Sequence, residues 1–343
     1  MARHKVIFRE VSVKKAHILR NVLGYIIVIF CIVTINFLLI RFMPGDPVMH
    51  IIGEDEYLRL ELSEPQVIEE VRKEYELNKP THIQYINYLK RMIKFDFGNS
   101  YRTKTPVLET VLFRMRWTLI LAVPAIVISS LLGAWLGLIS GWRKGGKVDM
   151  ILSPIMLTVS TIPSNCIAII CLLIFSFNLG LFPIGGITSG GLEGTRKVID
   201  IVWHTILPMS VLILYKTPSF FMLMKSIVQS IRGEEYIAVA ESKGFTSSQV
   251  LRRHILKNTL CSYATSVCMH FGSIMAGSMI VEIVFSWKGM GTLINQSVNT
   301  KDFPVLQACF LIIGITTVFF NFIADLLNVV IDPRVKEGVY NGE

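Results

Sequence analysis

Long apolar runs separated by polar segments are the dominant pattern along this chain. Runs of the length that crosses a bilayer, roughly 17–25 residues, occur at about 21–43, 118–141, 151–177, 205–229, 259–285 and 303–331. The fourth run is the weakest, because Pro208, Lys216 and Pro218 interrupt it. The pattern therefore predicts an all-α membrane protein with six transmembrane helices.

The polar segments divide the chain into parts. The first apolar run ends in RFMPGDPV (41–48), where two prolines and a glycine end the helix. The polar stretch that follows contains amphipathic helical patterns at 64–75 and 83–95, and the Gly-rich stretch 181–197 is predicted to be a surface loop. The predicted parts are a cytoplasmic N-terminus with the first transmembrane helix (1–43), an extracytoplasmic subdomain (44–116), a five-helix core (117–331) that includes a polar loop at 230–258, and a cytoplasmic tail (332–343).

The most informative polar segment is EEYIAVAESKGFTSSQVLRRHILKN, residues 234–258. Its first part is predicted to be a short helix with the small residues Ala238 and Ala240 on one side. Gly244 ends that helix, because glycine adopts left-handed backbone angles without steric cost. A second helix begins after Thr246 or Ser247, either of which can cap its first turn. A helix–glycine–helix segment between two membrane spans indicates a docking surface.

Composition and charge agree with a membrane location. Of 343 residues, 52% are hydrophobic and only 17% are charged, which departs from the average of soluble domains. The short segments 1–20, 142–150, 225–258 and 332–343 hold 17 Lys and Arg residues, against 4 in the loops 178–204 and 286–302. This asymmetry places both termini in the cytoplasm. The net charge of +9 is thus explained by membrane orientation, and nucleic acid is not predicted as a partner.

Several kinds of chemistry are absent from the sequence. There is no GxxxxGK[ST] phosphate-binding loop, no GxSxG nucleophile motif and no HExxH metal helix. The six cysteines form no CxxC pair and no cluster with metal-ligand spacing, so buried free thiols are predicted. Uphill transport would therefore draw energy from a partner or from an ion gradient.

Three ionisable residues lie within or at the edges of the predicted spans, where charge is costly. A structural role is favoured for Glu282 and Asp325. For Lys216, a structural role and a functional role both stay open.

Five segments, in chain order, carry a resemblance to a known family. They are RFMPGDPV (41–48), YELNKPTHIQYINYL (75–89), FDFGNSYRTKTPVLE (95–109), VEIVFSWKGMGTL (281–293) and IDPRVK (331–336). Together they resemble the membrane permease subunits of bacterial dipeptide/oligopeptide ABC importers, a branch that also carries nickel and some oligosaccharides. The resemblance implies the type I importer permease fold. It also implies a transport subunit that is not itself an enzyme, with ATP and Mg bound by partner ATPase subunits.

By this resemblance, residues 234–258 form the coupling loop that enters a groove of the ATPase subunit. The residues implied in coupling are Glu234, Glu235, Tyr236, Ala238, Ala240, Lys243, Gly244, Phe245, Arg252 and Arg253. Three departures from the general pattern occur. Ala238 stands in place of a glutamate, and the segment from His254 to Lys257 replaces an I-x-L-P sequence. Glu241 stands in place of an arginine and reverses one charge of the docking face.

The resemblance also implies partners and a location. They are a second homologous permease, two ATPase subunits, an extracytoplasmic solute-binding protein and the lipid of the bacterial inner membrane. The translocation path would lie between the two permeases, and polar residues near Pro163 are candidates to line it. These candidates are Ser160, Thr161, Ser164 and Asn165, with Lys216 from the fourth run. The polar residues could equally satisfy helix backbone freed by the proline.

Several alternatives remain at this stage. Peptide is the expected substrate, and nickel chelates or oligosaccharides stay open because the selectivity of this family lies mostly in the binding protein. An ion-coupled secondary transporter would need stacked ionisable groups or inverted repeats, and neither is visible in the sequence. A membrane receptor or scaffold that docks a signalling partner is a third class.

Overall fold

The computed structural model describes residues 22–38, 42, 46–74 and 76–331. Within these ranges the chain is helical and contains no β-strand, apart from one isolated bridge between Asn99 and Pro106. The predicted all-α class is therefore confirmed. The predicted cytoplasmic segment 1–20 and the tail 332–343 lie outside the described residues.

Each predicted apolar run contains at least one helix. In chain order the helices are α1 (Val22–Leu38), α2 (Pro47–Ile52), α3 (Glu54–Ser63), α4 (Pro65–Glu74), α5 (Thr81–Ile93), α6 (Val107–Trp142), α7 (Lys147–Thr161), α8 (Ser164–Cys171), α9 (Gly194–Arg232), α10 (Glu235–Ser242), α11 (Ser247–Val250), α12 (Leu256–Gly272), α13 (Ile274–Gly277), α14 (Met279–Val284), α15 (Met290–Asn299) and α16 (Phe303–Ile331). Helices α8 and α11 continue as π-helical segments, Leu172–Asn178 and Leu251–Ile255. The predicted amphipathic helices at 64–75 and 83–95 correspond to α4 and α5.

Within the described ranges, three helices are long and apolar enough to cross a membrane alone: α6, α9, and α16 over Phe303–Leu327. Helices α7 and α8, which meet at a 94° bend, would make a fourth span if counted together. Helix α1 is shorter, and the run 259–285 is divided into α12, α13 and α14 at Ser273 and Ser278. The structure thus accounts for three or four spans, and the count of six stays a prediction.

Helix α9 is more regular than the sequence suggested. It runs without interruption for 39 residues, with Pro208 and Pro218 inside it, and it begins at Gly194 instead of residue 205. Each proline removes one backbone hydrogen bond, a loss that membrane helices tolerate. Thr205 and Thr217 donate hydroxyl hydrogen bonds to carbonyl groups one turn earlier. The expected interruption at these residues is therefore wrong, although α9 is the least apolar of the three long spans in the described part of the chain.

The chain forms two compact units: residues 1–114 with 293–318, and residues 115–292 with 319–343. In the first unit, a small core forms where Val48, Leu60 and Ile68 of three successive helices are buried together. Asp46 anchors this core. Its carboxylate accepts hydrogen bonds from the Val48 amide at 2.9 Å and from Arg72 Nη2 at 2.6 Å.

A second anchor in the first unit joins distant parts of the sequence. Ser100 Oγ donates a hydrogen bond to Asp302 Oδ2 at 2.5 Å, and the Tyr101 amide donates to Asp302 Oδ1 at 3.1 Å. Arg102 Nε donates to the Thr300 carbonyl at 2.8 Å. These contacts fix the turn of the FDFGNSYRT motif to the chain just before α16.

In the second unit, α6 and α9 pack with their backbones in contact. Gly133, Gly137 and Gly141 lie four residues apart along α6, on the side that meets α9. A Cβ atom at Gly137 would lie 2.6 Å from the Phe221 carbonyl oxygen, and one at Gly141 would lie 2.9 Å from that of Lys225. Small residues at such spacing allow the close helix approach that is common in membranes.

Glu282 of α14 is the most deeply buried acidic side chain of the second unit, with 0% exposure. Thr118 Oγ1 and Ser278 Oγ donate hydrogen bonds to Glu282 Oε1 at 2.7 and 3.0 Å. The amide of Gly291, in the first turn of α15, donates to Glu282 Oε2 at 2.7 Å. The carboxyl group therefore caps the N-terminus of α15, which is the structural role that the sequence favoured for Glu282.

Candidate functional site

The polar loop 234–258 folds as two short helices followed by a π-helical segment that leads into α12. Helix α10 ends at Ser242, and Gly244 follows with φ +80°, in the left-handed region that favours glycine. Thr246 caps α11: its amide donates to Gln249 Oε1 at 2.8 Å, and the Gln249 amide donates to Thr246 Oγ1 at 3.4 Å. This is a capping box. The predicted helix–glycine–helix with a threonine cap is confirmed.

The inner side of the loop is apolar. Ile237, Ala240, Val250 and Ile255 are each at most 5% exposed, whereas Ala238 is exposed. The prediction that Ala238 and Ala240 share one side is therefore wrong, because residues two apart on a helix point about 200° away from each other. Ala240 instead packs on the inner side and leaves Ala238 on the outer side.

Most of the predicted coupling residues lie on the outer side of the loop. The exposed ones are Glu234, Glu235, Ala238, Lys243, Gly244, Arg252 and Arg253, while Tyr236 and Phe245 are partly buried. Acidic side chains cluster at the N-terminus of α10, where the helix dipole favours them. Basic side chains lie in the π-helical segment. The outer side thus offers charges of both signs to a partner.

Aromatic rings hold the loop together. The ring of His254 lies 6.4 Å from that of Tyr236 and 5.9 Å from that of Phe245, centroid to centroid. Asn258 Nδ2 donates a hydrogen bond to the Tyr236 hydroxyl at 2.9 Å. These contacts join α10 to the segment after α11, so the loop is one packed unit.

The C-terminal end of α9, which leads directly into this loop, is tied to the preceding helices by an ion pair. Lys225 Nζ donates to Asp149 Oδ1 at 2.5 Å. The same carboxylate accepts hydrogen bonds from Ser140 Oγ of α6 and from the Gly145 amide. Sequence reasoning missed this pair. The available signal was that Asp149 is the single acidic residue in the basic segment 142–150.

A second tie lies closer to the loop. Arg232 Nη1 donates to the Trp142 carbonyl at 2.5 Å, and its guanidinium carbon lies 5.0 Å from the centroid of the Trp142 ring. The ends of α6 and α9 are thus held together by a hydrogen bond and a cation–π contact.

The predicted path residues lie in two places. Ser160 and Thr161 end α7, and Ser164 and Asn165 begin α8, on either side of the 94° bend. The hydroxyl groups of Ser160 and Thr161 donate to carbonyl groups of their own helix, each at 2.7 Å, and a place along the path stays a prediction for them. Lys216 lies apart from them on α9, in a small cavity that residues of α6 and α13 also line.

Two protein-family models match this chain. The family described as "Binding-protein-dependent transport system inner membrane component" matches residues 133–337, and its N-terminal counterpart matches residues 15–122. The oligopeptide transport system permease protein AppB of Bacillus subtilis (strain 168) is 30% identical over 326 residues, which are 94% of this chain and 99% of AppB.

Two further relatives are similar over nearly the whole chain. A putative peptide transport system permease protein of Brucella suis biovar 1 is 30% identical over 320 residues, 93% of this chain and 98% of that protein. The glutathione transport system permease protein GsiC of Salmonella typhimurium is 28% identical over 321 residues, with the same coverage of 93% and 98%.

A solved structure shows a similar fold. A chain of the MetNI methionine ABC transporter, in an inward-facing conformation, superposes with a TM-score of 0.51 at 14% identity. The match covers 66% of this chain and 98% of that chain. This chain therefore belongs to the family of binding-protein-dependent transport system inner membrane components, the membrane permeases of ABC importers.

Proposed function

We propose that this permease carries peptides across the bacterial inner membrane, as one half of the translocation path of an ATP-driven importer. The relatives named above are designated for oligopeptide, peptide and glutathione transport and match over 93–94% of this chain. These names favour peptides over the nickel chelates and oligosaccharides that the sequence left open.

The loop 234–258 is the observation that carries the proposal. It is exposed, bears charges of both signs and is packed as one unit, and the chain has no phosphate-binding motif of its own. We infer that its outer side docks in a groove of an ATPase subunit, which holds the ATP and Mg²⁺. Ala240 would support α10 from the inner side, and the other predicted coupling residues would meet the partner.

The ties at the inner end of α9 indicate how a movement of the loop would reach the membrane. Lys225 and Arg232 fix α9 to the α6–α7 turn through Asp149 and Trp142. A push on the loop would therefore move α9, α6 and the start of α7 together. Helix α7 leads to the bend at Pro163, where the predicted path residues lie.

The assembly that we propose contains a second homologous permease, two ATPase subunits and an extracytoplasmic solute-binding protein. Six spans with both termini in the cytoplasm place the loop 234–258 on the inner face and residues 44–116 on the outer face. The ATPase and the binding protein then meet opposite faces of the permease. Ser160, Thr161 and Asn165 are exposed polar side chains in an apolar run, which favours contact with a path or a partner over lipid.

Replacing Gly244 tests the coupling role. Gly244→Pro cannot keep φ near +80°, because proline fixes φ near −65°, and it removes the hydrogen bond that the Gly244 amide donates to the Glu241 carbonyl. We expect the complex to assemble but to lose the stimulation of ATP hydrolysis by the loaded binding protein, measured in proteoliposomes.

Gly191→Pro is the matched control for this experiment. Gly191 also has a positive φ, of +78°, and no neighbouring atom within 4 Å of a Cβ, but it lies in the outer loop 181–197. Stimulation should survive in this variant. Full stimulation in Gly244→Pro would contradict the coupling role of the loop.

Copurification distinguishes the proposed importer from an ion-coupled transporter and from a signalling scaffold. We expect an ATPase subunit to copurify with the full chain and to be lost when residues 234–258 are replaced by a flexible linker. Solute uptake that continues without any copurifying ATPase would favour the ion-coupled alternative instead.

A further inference from the structure

Lys216 occupies an unusual position for a charged side chain. It lies in α9, 16 residues before Arg232 and 22 after Gly194, or about 24 and 33 Å along the helix axis. A lysine side chain is too short to bring its ammonium group to either membrane surface over such distances. Charged residues at this depth usually face the interior of a helical bundle and mark a substrate or ion pathway.

The surroundings of Lys216 form a small cavity within the second unit. Its walls come from Ala122, Ala125 and Ile126 of α6, Leu212 of α9, and Ile274, Gly277 and Ser278 at the broken segment between α12 and α14. Irregular backbone is tolerated at membrane depth where it is buried in protein or lines a cavity. Gly277 leaves room for the ammonium group, because a Cβ atom there would lie 3.0 Å from Lys216 Nζ.

Within the described residues, Lys216 forms no salt bridge and donates no hydrogen bond; its ammonium lies 5.9 Å from the centroid of the Tyr215 ring. The neighbouring titratable groups do not neutralise it. His270, whose ring lies 4.7 Å from that of Phe220 one turn along α9 from Lys216, carries no negative charge. Glu282 is occupied by donors from Thr118, Ser278 and Gly291. A partly buried cation of this kind lacks an anionic partner, and burying it costs free energy until one is bound.

We propose that Lys216 binds the terminal carboxylate of the transported peptide as the peptide passes through the permease. This inference rests on the proposed function, because a peptide is the substrate class that brings a carboxylate. The cavity has room for only about one water molecule, so the body of a peptide cannot enter it and only a terminal group can approach Lys216. Every linear peptide has a terminal carboxylate, so a site for this group does not depend on the peptide's side chains. A permease that transports many different peptides requires such a site.

The test compares two forms of one substrate in the complete importer. Tetra-alanine and its C-terminal amide are supplied with the binding protein to proteoliposomes containing the assembled complex and ATP, and uptake of each is measured. Lys216→Met should reduce uptake of the free acid about tenfold relative to wild type, the effect of losing one charged hydrogen bond. Uptake of the amide should change little, and Lys216→Arg should retain most of the uptake of the acid.

Two further variants keep the result interpretable. Thr217→Val removes a neighbouring hydroxyl that donates only to its own helix, at the Ile213 carbonyl, and should affect the two peptides equally. Gly277→Ala displaces the ammonium group without removing its charge and should reduce uptake of the acid more than uptake of the amide. Any difference between the affinities of the binding protein for the acid and for the amide cancels when each variant is compared with the wild type, because the same binding protein is used with every permease.

Equal losses of both peptide forms in Lys216→Met, or no loss of either, would overturn the role of Lys216 and leave peptide transport by the wild type intact. Failure of the wild-type complex to take up either form would overturn the peptide assignment itself, and the role of Lys216 with it.

Discussion

Gly289 shows at the scale of one residue how tightly the buried carboxyl group of Glu282 is enclosed. A Cβ atom at Gly289 would meet the Glu282 carboxylate and would lie 2.6 Å from Thr118 Oγ1. We expect Gly289→Ala to displace the hydrogen bonds that cap α15 and to lower the free energy of unfolding by about 1–3 kcal/mol. Thermal unfolding of the purified permease in detergent measures the change.

Gly190→Ala is the matched control, because no atom lies within 4 Å of a Cβ at that position and its φ is ordinary. Its unfolding temperature should equal that of the wild type. Equal unfolding temperatures for Gly289→Ala and Gly190→Ala would contradict this prediction. They would show that the atoms around Glu282 can move to make room for the added methyl group without loss of stability.

Single residues were predictable where a local rule decides the conformation. Gly244 and Thr246 each follow such a rule, a left-handed helix end and a helix cap, and both were found from sequence. Ala238 and Ala240 show a local rule misapplied, since a spacing of two does not place residues on one helix face. Lys225 and Asp149 are 76 residues apart, and no local rule could pair them.

At the scale of elements, the pair between Lys225 and Asp149 joins α9, which leads into the loop 234–258, to α7. Replacing Asp149 leaves the partly buried charge of Lys225 without its ionic partner and weakens the contact between α9 and α7. We expect Asp149→Asn to lower the amount of peptide transported per ATP hydrolysed severalfold, while ATPase subunits still bind. Parallel measurement of uptake and phosphate release in proteoliposomes gives this ratio.

The reversed pair, Asp149→Lys with Lys225→Asp, should restore part of the ratio if the contact itself matters. Glu56→Gln, which breaks the exposed pair between Glu56 and Arg59 in α3, should leave the ratio unchanged, since exposed pairs contribute little. Unaltered coupling in Asp149→Asn would exclude this joint as the route from loop to membrane.

The broken helix within 259–285 was missed from sequence, although a signal was present. Gly272 and Ser273 stand at the first break, and Gly277 and Ser278 at the second. Such Gly/Ser pairs are a recognised cause of sharp helix kinks. Hydropathy alone cannot show the breaks, because the run stays apolar throughout. The bend at Pro163 within the run 151–177 was not predicted either, although proline cannot continue the hydrogen-bond pattern of the preceding helix.

At the scale of the whole molecule, the division of the chain does not follow chain order. Residues 293–318 group with the N-terminal part and not with the helices that precede them. The contacts of Ser100 and Tyr101 with Asp302 show the physical reason. The overall class was predictable from apolar run lengths, whereas this grouping depends on contacts across some 200 residues.

The orientation of the whole chain can be tested by labelling. In a background with every cysteine replaced by serine, we expect a membrane-impermeant maleimide to label Gly190→Cys from the outer face of intact inner membranes. Lys243→Cys should be labelled only after the membrane is opened, because the six predicted spans would place the two positions on opposite faces. Labelling of both variants from the same face would contradict the predicted topology.

The carboxyl group of Glu282 also sets an order for biosynthesis. The ribosome makes Thr118 and Ser278 before Glu282, but the Gly291 amide that completes the pocket emerges nine residues later. Until α15 has begun to form, the chain holds a polar group whose hydrogen bonds are incomplete, and lipid cannot supply the missing donor. We therefore expect residues 279–299 to reach their final positions together.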